Sequence, residues 1–236
     1  MVLPDLIHVC AIFVVAIHFS DSCTETYAYS GDANVRLIFD INWTKVGASD
    51  IPNILCYKED AQIGNCQRIL GAILCGTSNN DVSGMYEFSS NEDFTAVYIT
   101  IRSFNERTEG QYYCFPENYN SQRTSICLQT LVNLTALTLH PQTNVTYPVY
   151  KEQSVFTCIT SASRPGARIH WFVADRNITD MASYTYSSYV ATSILRYTPD
   201  SITSEELRCT ASYLIKSTNI TMQRRTNMTI LCKYFM

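Results

Sequence analysis

The sequence predicts an all-β fold of two tandem antiparallel sandwiches, and three observations carry the prediction. Short runs rich in Val, Ile, Thr, Tyr and Phe alternate apolar and polar residues with a period of two. Asn, Asp, Gly, Ser or Pro lies between the runs, as turns require. The 236 residues fit either one medium domain or two of about 100 residues each, and two sets of strand runs favour the second. No segment holds a 3.6-residue apolar stripe long enough for a core helix, which excludes parallel α/β folds. Seven prolines and eight glycines exclude collagen-like and linker chains, and a hydrophobic share of 46% argues against disorder.

The first element is a leader. Residues 6–19 read LIHVCAIFVVAIHF, an apolar run short for a bilayer span, followed by the small residues Ser20 and Ser22. Those serines suit the −3 and −1 positions of cleavage before Cys23, so residues 1–22 are expected to be a signal peptide. Asp5, and the lack of Lys or Arg ahead of the run, depart from the usual pattern. Six Asn-x-Thr sequons, at Asn42, Asn133, Asn144, Asn177, Asn219 and Asn227, agree with export and are expected to carry glycans. No second apolar run of 18 or more residues follows. The expectation is a secreted, extracellular protein, or the surface-exposed part of a longer membrane protein.

The strands then follow in order. Residues 35–41 (VRLIFDI) place Val35, Leu37 and Phe39 on one face. Residues 53–60 (NILCYKED) carry Cys56, and Cys66 and Cys75 flank QRILGAIL, a hairpin or loop closure. Residues 94–101 (FTAVYITI) precede 108–114 (TEGQYYC), where Tyr112 stands two before Cys114. In the second half SVFTC ends at Cys158, Trp171 follows thirteen residues later in RIHWF, and Cys209 lies fifty-one after Cys158.

This second set resembles an immunoglobulin domain over about residues 136–232. The resemblance implies a Cys158–Cys209 bridge across the two sheets, covered by Trp171. Leu207 stands where the family usually has its corner tyrosine, so that hydroxyl bond is missing. Residues 163–171 (SRPGARIHW) resemble the B–C region of nectin-like, nephrin-like and B7-like second domains, implying a C2-type module over 133–236. TEGQYYC resembles strand F of a variable-type domain, implying such a module over 23–132 with Tyr112 as its corner tyrosine.

Within that first module Phe39 stands at the expected strand-B cysteine. In one reading the bridge has moved, with Cys56 on strand C bonded to Cys114 on strand F and Phe39 filling the vacated core. In another Cys56 is itself the strand-B cysteine. Both give Cys56–Cys114. Cys66–Cys75 is expected to close a local hairpin, and Cys23–Cys127 to tether strand A to strand G. Each bridge restrains the unfolded chain, worth roughly 2–4 kcal/mol if unstrained. Cys232 is left over, and an intermolecular bond, a bond within a longer chain and a free thiol all stay open.

Functional reading starts from charge. The formal net charge is −4 with no basic stretch, which leaves nucleic-acid binding without an electrostatic footprint. Beyond the leader only His140 and His170 occur, without ligand-like spacing, and no nucleophile-elbow, phosphate-loop or zinc-protease motif is present. No enzyme activity, cofactor or metal is expected. Residues 115–125 (FPENYNSQRTS) should join strands F and G, and Tyr119, Asn120, Gln122 and Arg123 are the expected contact residues for a protein partner. Tyr184 and Tyr186 share a strand face that reads either as core, the favoured reading, or as sheet surface. Five of the six sequons begin at Asn133, which leaves the first module as the contact surface. The expected role is noncovalent binding of an extracellular protein, itself or another immunoglobulin-like chain, in adhesion or immune recognition. The alternative is a soluble decoy or humoral factor that occupies a receptor, cytokine or microbial ligand.

Overall fold

The computed structural model describes residues 23–43, 53–215 and 217–233. The expected signal peptide lies outside these residues.

Among the described residues the first half contributes nine strands: β1 (Thr24–Ala28), β2 (Ala33–Asp40), β3 (Ile54–Lys58), β4 (Ala61–Ile69), β5 (Ala72–Thr77), β6 (Tyr86–Ser90), β7 (Ala96–Ser103), β8 (Gly110–Pro116) and β9 (Thr124–Thr130). They form a six-stranded sheet, β1-β9-β8-β3-β4-β5, facing a three-stranded one, β2-β7-β6. β1 runs parallel to β9, whereas the other pairs are antiparallel. The alternation in β2 works as its sequence requires. Leu37 and Phe39 are buried while Arg36, Ile38 and Asp40 face outward. The inner faces meet in one core in which Phe39, Ile54, Ile99, Ile101, Phe104 and Leu128 are fully enclosed.

β2 pairs with β7 in the smaller sheet, so β2 holds the second-strand place and β3 belongs to the opposite sheet. This decides between the two readings of Cys56. It bonds Cys114 directly across the β3–β8 pair, with the two Cα atoms 4.3 Å apart. Cys66–Cys75 joins β4 to β5, and Cys23–Cys127 ties the chain just ahead of β1 to β9. All three bridges therefore lie within the six-stranded sheet. Among the described residues none crosses the core to the smaller sheet, and Phe39 fills that space.

The second half is stapled differently. β10 (Leu137–His140), β12 (Ser154–Thr160), β16 (Val190–Tyr197) and β15 (Ala182–Ser187) form one sheet in that order. The facing sheet has the order β11 (Val145–Thr146), β18 (Thr218–Met228), β17 (Glu205–Ile215), β13 (Arg168–Val173) and β14 (Arg176–Asn177). Cys158 on β12 and Cys209 on β17 bond between the sheets, 6.5 Å apart at Cα. Trp171 on β13 stands opposite Cys209 in register, is fully buried, and donates its indole N–H to Ser193 Oγ at 2.9 Å. That bond meets the polar demand of an otherwise apolar buried ring. Leu207 is fully buried.

The connector between β9 and β10 is held at nearly every residue. Val132 and Arg164 exchange both backbone hydrogen bonds, at 3.0 and 2.9 Å. Asn133 Oδ1 accepts from the Tyr29 hydroxyl at 3.1 Å and lies 3.4 Å from that of Tyr213. Leu134 N–H donates to Tyr213 Oη, and Thr135 and Ala136 donate to Ser161 Oγ. Arg164 also sends its guanidinium back to Gln129 Oε1 and Glu109 Oε1, while Thr130 donates to the second Glu109 oxygen.

Candidate functional site

The strand period sorts YYCF in β8 into two faces. Tyr112 and Cys114 point into the core, so Tyr113 and Phe115 take the outer face. On the neighbouring β3, Ile54 and Cys56 point inward and Leu55 and Tyr57 outward. Register sets Tyr57 beside Tyr113 and Leu55 beside Phe115. The outer residues thus build an aromatic platform, in which Tyr57 and Phe115 are half-buried and Tyr113 is only 8% exposed. The Tyr57 and Tyr113 ring centroids are 5.2 Å apart with planes 6° apart; Tyr57–Phe115 and Tyr113–Phe115 lie at 5.6 and 6.1 Å, also near-parallel.

Arg123 completes it. Its guanidinium carbon stands 3.4 Å from the Tyr113 centroid, a cation–π stack that holds a charged group flat against the rings. Burial raises the Tyr113 phenol above its ordinary range, Asp60 and Tyr57 add to that, and Arg123 opposes it. At neutral pH the phenol is therefore neutral, with the Arg123 guanidinium stacked against it.

The loop after β8 folds into a 3-10 turn over Asn120–Gln122, fixed by Gln122 N–H to Tyr119 O at 2.9 Å and Arg123 N–H to Asn120 O at 3.2 Å. The four contact residues expected from sequence are placed unequally. Arg123 lies on the platform, Tyr119 and Gln122 are half-buried beside the turn, and Asn120 is exposed at its tip. Sequence reasoning missed Tyr57, Tyr113 and Phe115. Inward Tyr112 and Cys114 were signal enough to put Tyr113 and Phe115 outside, but nothing in the sequence set β3 against β8 to bring Tyr57 alongside them.

Two further features shape this face. At the β4–β5 turn, above the Cys66–Cys75 bridge, Ile69 is exposed and Leu70 fully so, with Leu74 nearby on β5. No sequon falls in the strands of the six-stranded sheet. All six sequon asparagines are exposed. Asn42 follows β2 of the opposite sheet, Asn133 lies in the connector, and Asn144, Asn177, Asn219 and Asn227 lie on or beside β11, β14 and β18 of the second unit.

Elsewhere the structure decides between two open readings, against the favoured one. Tyr184 and Tyr186 are not core: both are over two-fifths exposed on the edge strand β15, with hydroxyls donating to the carbonyls of Ala167 and Ser163 at 2.9 Å. Their reach to the chain ahead of β13 replaces burial as the reason for two tyrosines here. Cys232 is exposed and unbonded. Among the described residues no cluster of His, Cys, Asp or Glu has the grouping of a metal site, and no helix is long and apolar enough to cross a membrane.

With the bridge between β12 and β17, and Trp171 packed beside it, comparison with known families becomes informative. Residues 136–220 match the model of the CD80-like C2-set immunoglobulin domain. That match makes residues 136–220 a C2-set immunoglobulin domain. The chain is built as two tandem immunoglobulin-like sandwiches. No curated protein matches it. Among solved structures it is similar to the full three-domain ectodomain of mouse nectin-like molecule 4, at 13% identity over 88% of this chain and 67% of that one, with a TM-score of 0.44. It is also similar to a titin tandem of immunoglobulin domains, at 14% identity over 89% and 94% of the two chains, with a TM-score of 0.34.

Proposed function

We propose that this chain is an extracellular recognition protein that binds another protein noncovalently through the outer face of its N-terminal immunoglobulin domain, in adhesion or immune recognition. The domains run over 23–132, of variable type, and 133–236, of C2 type, with the second a spacer. The observation that carries the reading is the Tyr57–Tyr113–Phe115 platform with Arg123 stacked on it, on a sheet that carries no sequon. Rigid aromatic rings and arginine offer large contact area at small entropic cost, which is why such residues dominate protein interfaces. The β8–β9 turn supplies Tyr119, Asn120 and Gln122 at its border, and β4–β5 in the C′ and C″ positions widens the face. Partners are extracellular proteins, either a second copy or another immunoglobulin-like chain, and the six sequon asparagines carry glycans that leave this face open.

A multivalent probe of the secreted protein, screened against itself and a panel of extracellular proteins, tests this reading because avidity makes weak contacts visible. Specific binding that falls at least about tenfold with Arg123→Ala, a loss of about 1.4 kcal/mol per contact, is the expected result. Binding that Arg123→Ala and Phe115→Ser leave unchanged contradicts it. Capture of a single cytokine or receptor without self-association supports the decoy role over adhesion.

A further inference from the structure

A strand at a sheet edge presents unpaired N–H and C=O groups, and proteins blunt such edges with charge, proline, bulges or short length. Most edges here are blunted. β11 and β14 are two residues long, and Arg224 Nε donates to the Leu137 carbonyl at the edge strand β10. β2 carries Arg36 and Asp40, β6 carries Glu87, and β5 is packed along β6. β15 is different. Its six residues, ASYTYS, contain no charge, proline or bulge, and all but the first are exposed.

The hydrogen-bonding groups that β15 turns outward can be named. Ser187 and Val190 close a two-residue turn at Ser188–Tyr189, both at positive φ, so Ser187–Val190 and every second pair beyond it are the hydrogen-bonded ones. Tyr184 and Tyr186 fall in the alternate pairs. Ala191, opposite Tyr186, confirms the phase: its N–H and its C=O both engage Thr160 on the far side of β16. The N–H and C=O of Tyr184 and Tyr186 therefore aim away from the sheet. Their hydroxyls, anchored on Ala167 and Ser163, hold the strand straight for a partner.

We propose that β15 pairs with β15 of a second copy of this chain, antiparallel about a two-fold axis through Thr185. Only this register meets the outward groups in full. Tyr184 stands opposite Tyr186 of the second copy and exchanges two hydrogen bonds with it, and the symmetric pair repeats them. Thr185 faces its own equivalent as a non-hydrogen-bonded pair, a favourable cross-strand partner. A neutral strand meets no like charge when it pairs with itself, which favours a second copy over a charged peptide. The union joins two four-stranded sheets into one of eight, and the closed two-fold contact ends in a dimer rather than a fibre. It uses the second domain and is independent of the front-sheet reading.

The test uses the secreted, glycosylated chain in a Cys232→Ser background, which removes the exposed thiol as a route to dimers. Adding Thr185→Cys places two thiols in a non-hydrogen-bonded cross-strand pair, whose Cα separation of about 4.5 Å lies within disulfide range. A covalent dimer on a non-reducing gel, released by reductant, is expected. Sedimentation over a concentration series should show self-association that Thr185→Lys weakens about tenfold or more by setting like charges across the axis. A folded Thr185→Cys chain that stays monomeric overturns the proposal, as does a dimer indifferent to Thr185→Lys.

Discussion

Phe39 and Tyr112 show how single residues hold the first domain together without a bridge between its sheets. Phe39 is fully buried where the sheets face each other, and the nearest bridge, Cys56–Cys114, runs along one sheet only. Removing the ring leaves a cavity that no covalent link across the core spans. Phe39→Ala should cost about 3–5 kcal/mol, read as a drop in chemical-denaturation midpoint, with the second domain's transition unmoved. Tyr112 donates its hydroxyl to the Thr108 carbonyl and lies 3.4 Å from the Tyr86 hydroxyl. Burial, with Tyr86 adding to it, raises its phenol far above the ordinary range, so it remains a donor at any physiological pH. Tyr112→Phe keeps the ring and strands the buried Thr108 carbonyl, at a cost of about 1–3 kcal/mol in the same measurement.

At the scale of elements, the joint between the domains turns on Arg164. Its backbone pairs with Val132, and its guanidinium bridges to Gln129 and Glu109 on the first domain. Burial alone would raise the Glu109 carboxyl, yet hydrogen bonds from Thr130 and Arg164, with the arginine's charge, outweigh it and hold the carboxyl below its ordinary value. A folded-state value below the unfolded one means the contribution is present above the ordinary carboxylate range, about pH 4.3, and lost as pH falls through the lowered value. Glu109→Gln should therefore lose less stability than the wild-type chain over that acid interval in thermal melts. Arg164→Ala should broaden the interdomain distances seen by X-ray scattering at neutral pH; an unchanged profile would assign the rigidity to the connector backbone alone.

The same scale shows what could be read from sequence. The second domain was legible because Cys158, Trp171 and Cys209 sit at separations that only a two-sheet sandwich brings together. The first was legible as strands, but its core chemistry stayed open, since Phe39 and Cys56 fit two registers until pairing with β7 and β8 fixed their sheets. Tyr184 and Tyr186 stayed between core and surface for a related reason. Alternation gives a shared face, but not that an edge strand can turn that face toward solvent and commit the hydroxyls to neighbouring carbonyls. The aromatic platform depends on cross-strand register, which period-two patterning does not encode.

At the scale of the whole molecule, the sequons and the platform divide the surface between them. Four exposed sequon asparagines lie on or beside strands of the five-stranded sheet of the second domain, while the six-stranded sheet of the first has none. A sugar placed on that sheet should therefore block binding. The substitution Gln67→Thr completes an Asn-x-Thr acceptor at Asn65, which stands on the outer face in register with Leu55, one strand away from Phe115. The most direct measurement is binding of the multivalent probe carrying this substitution, with glycan occupancy confirmed by intact mass. The account predicts that binding disappears when Asn65 is glycosylated and returns after enzymatic removal of the sugar. Full binding by a probe whose Asn65 is shown to be occupied would contradict it.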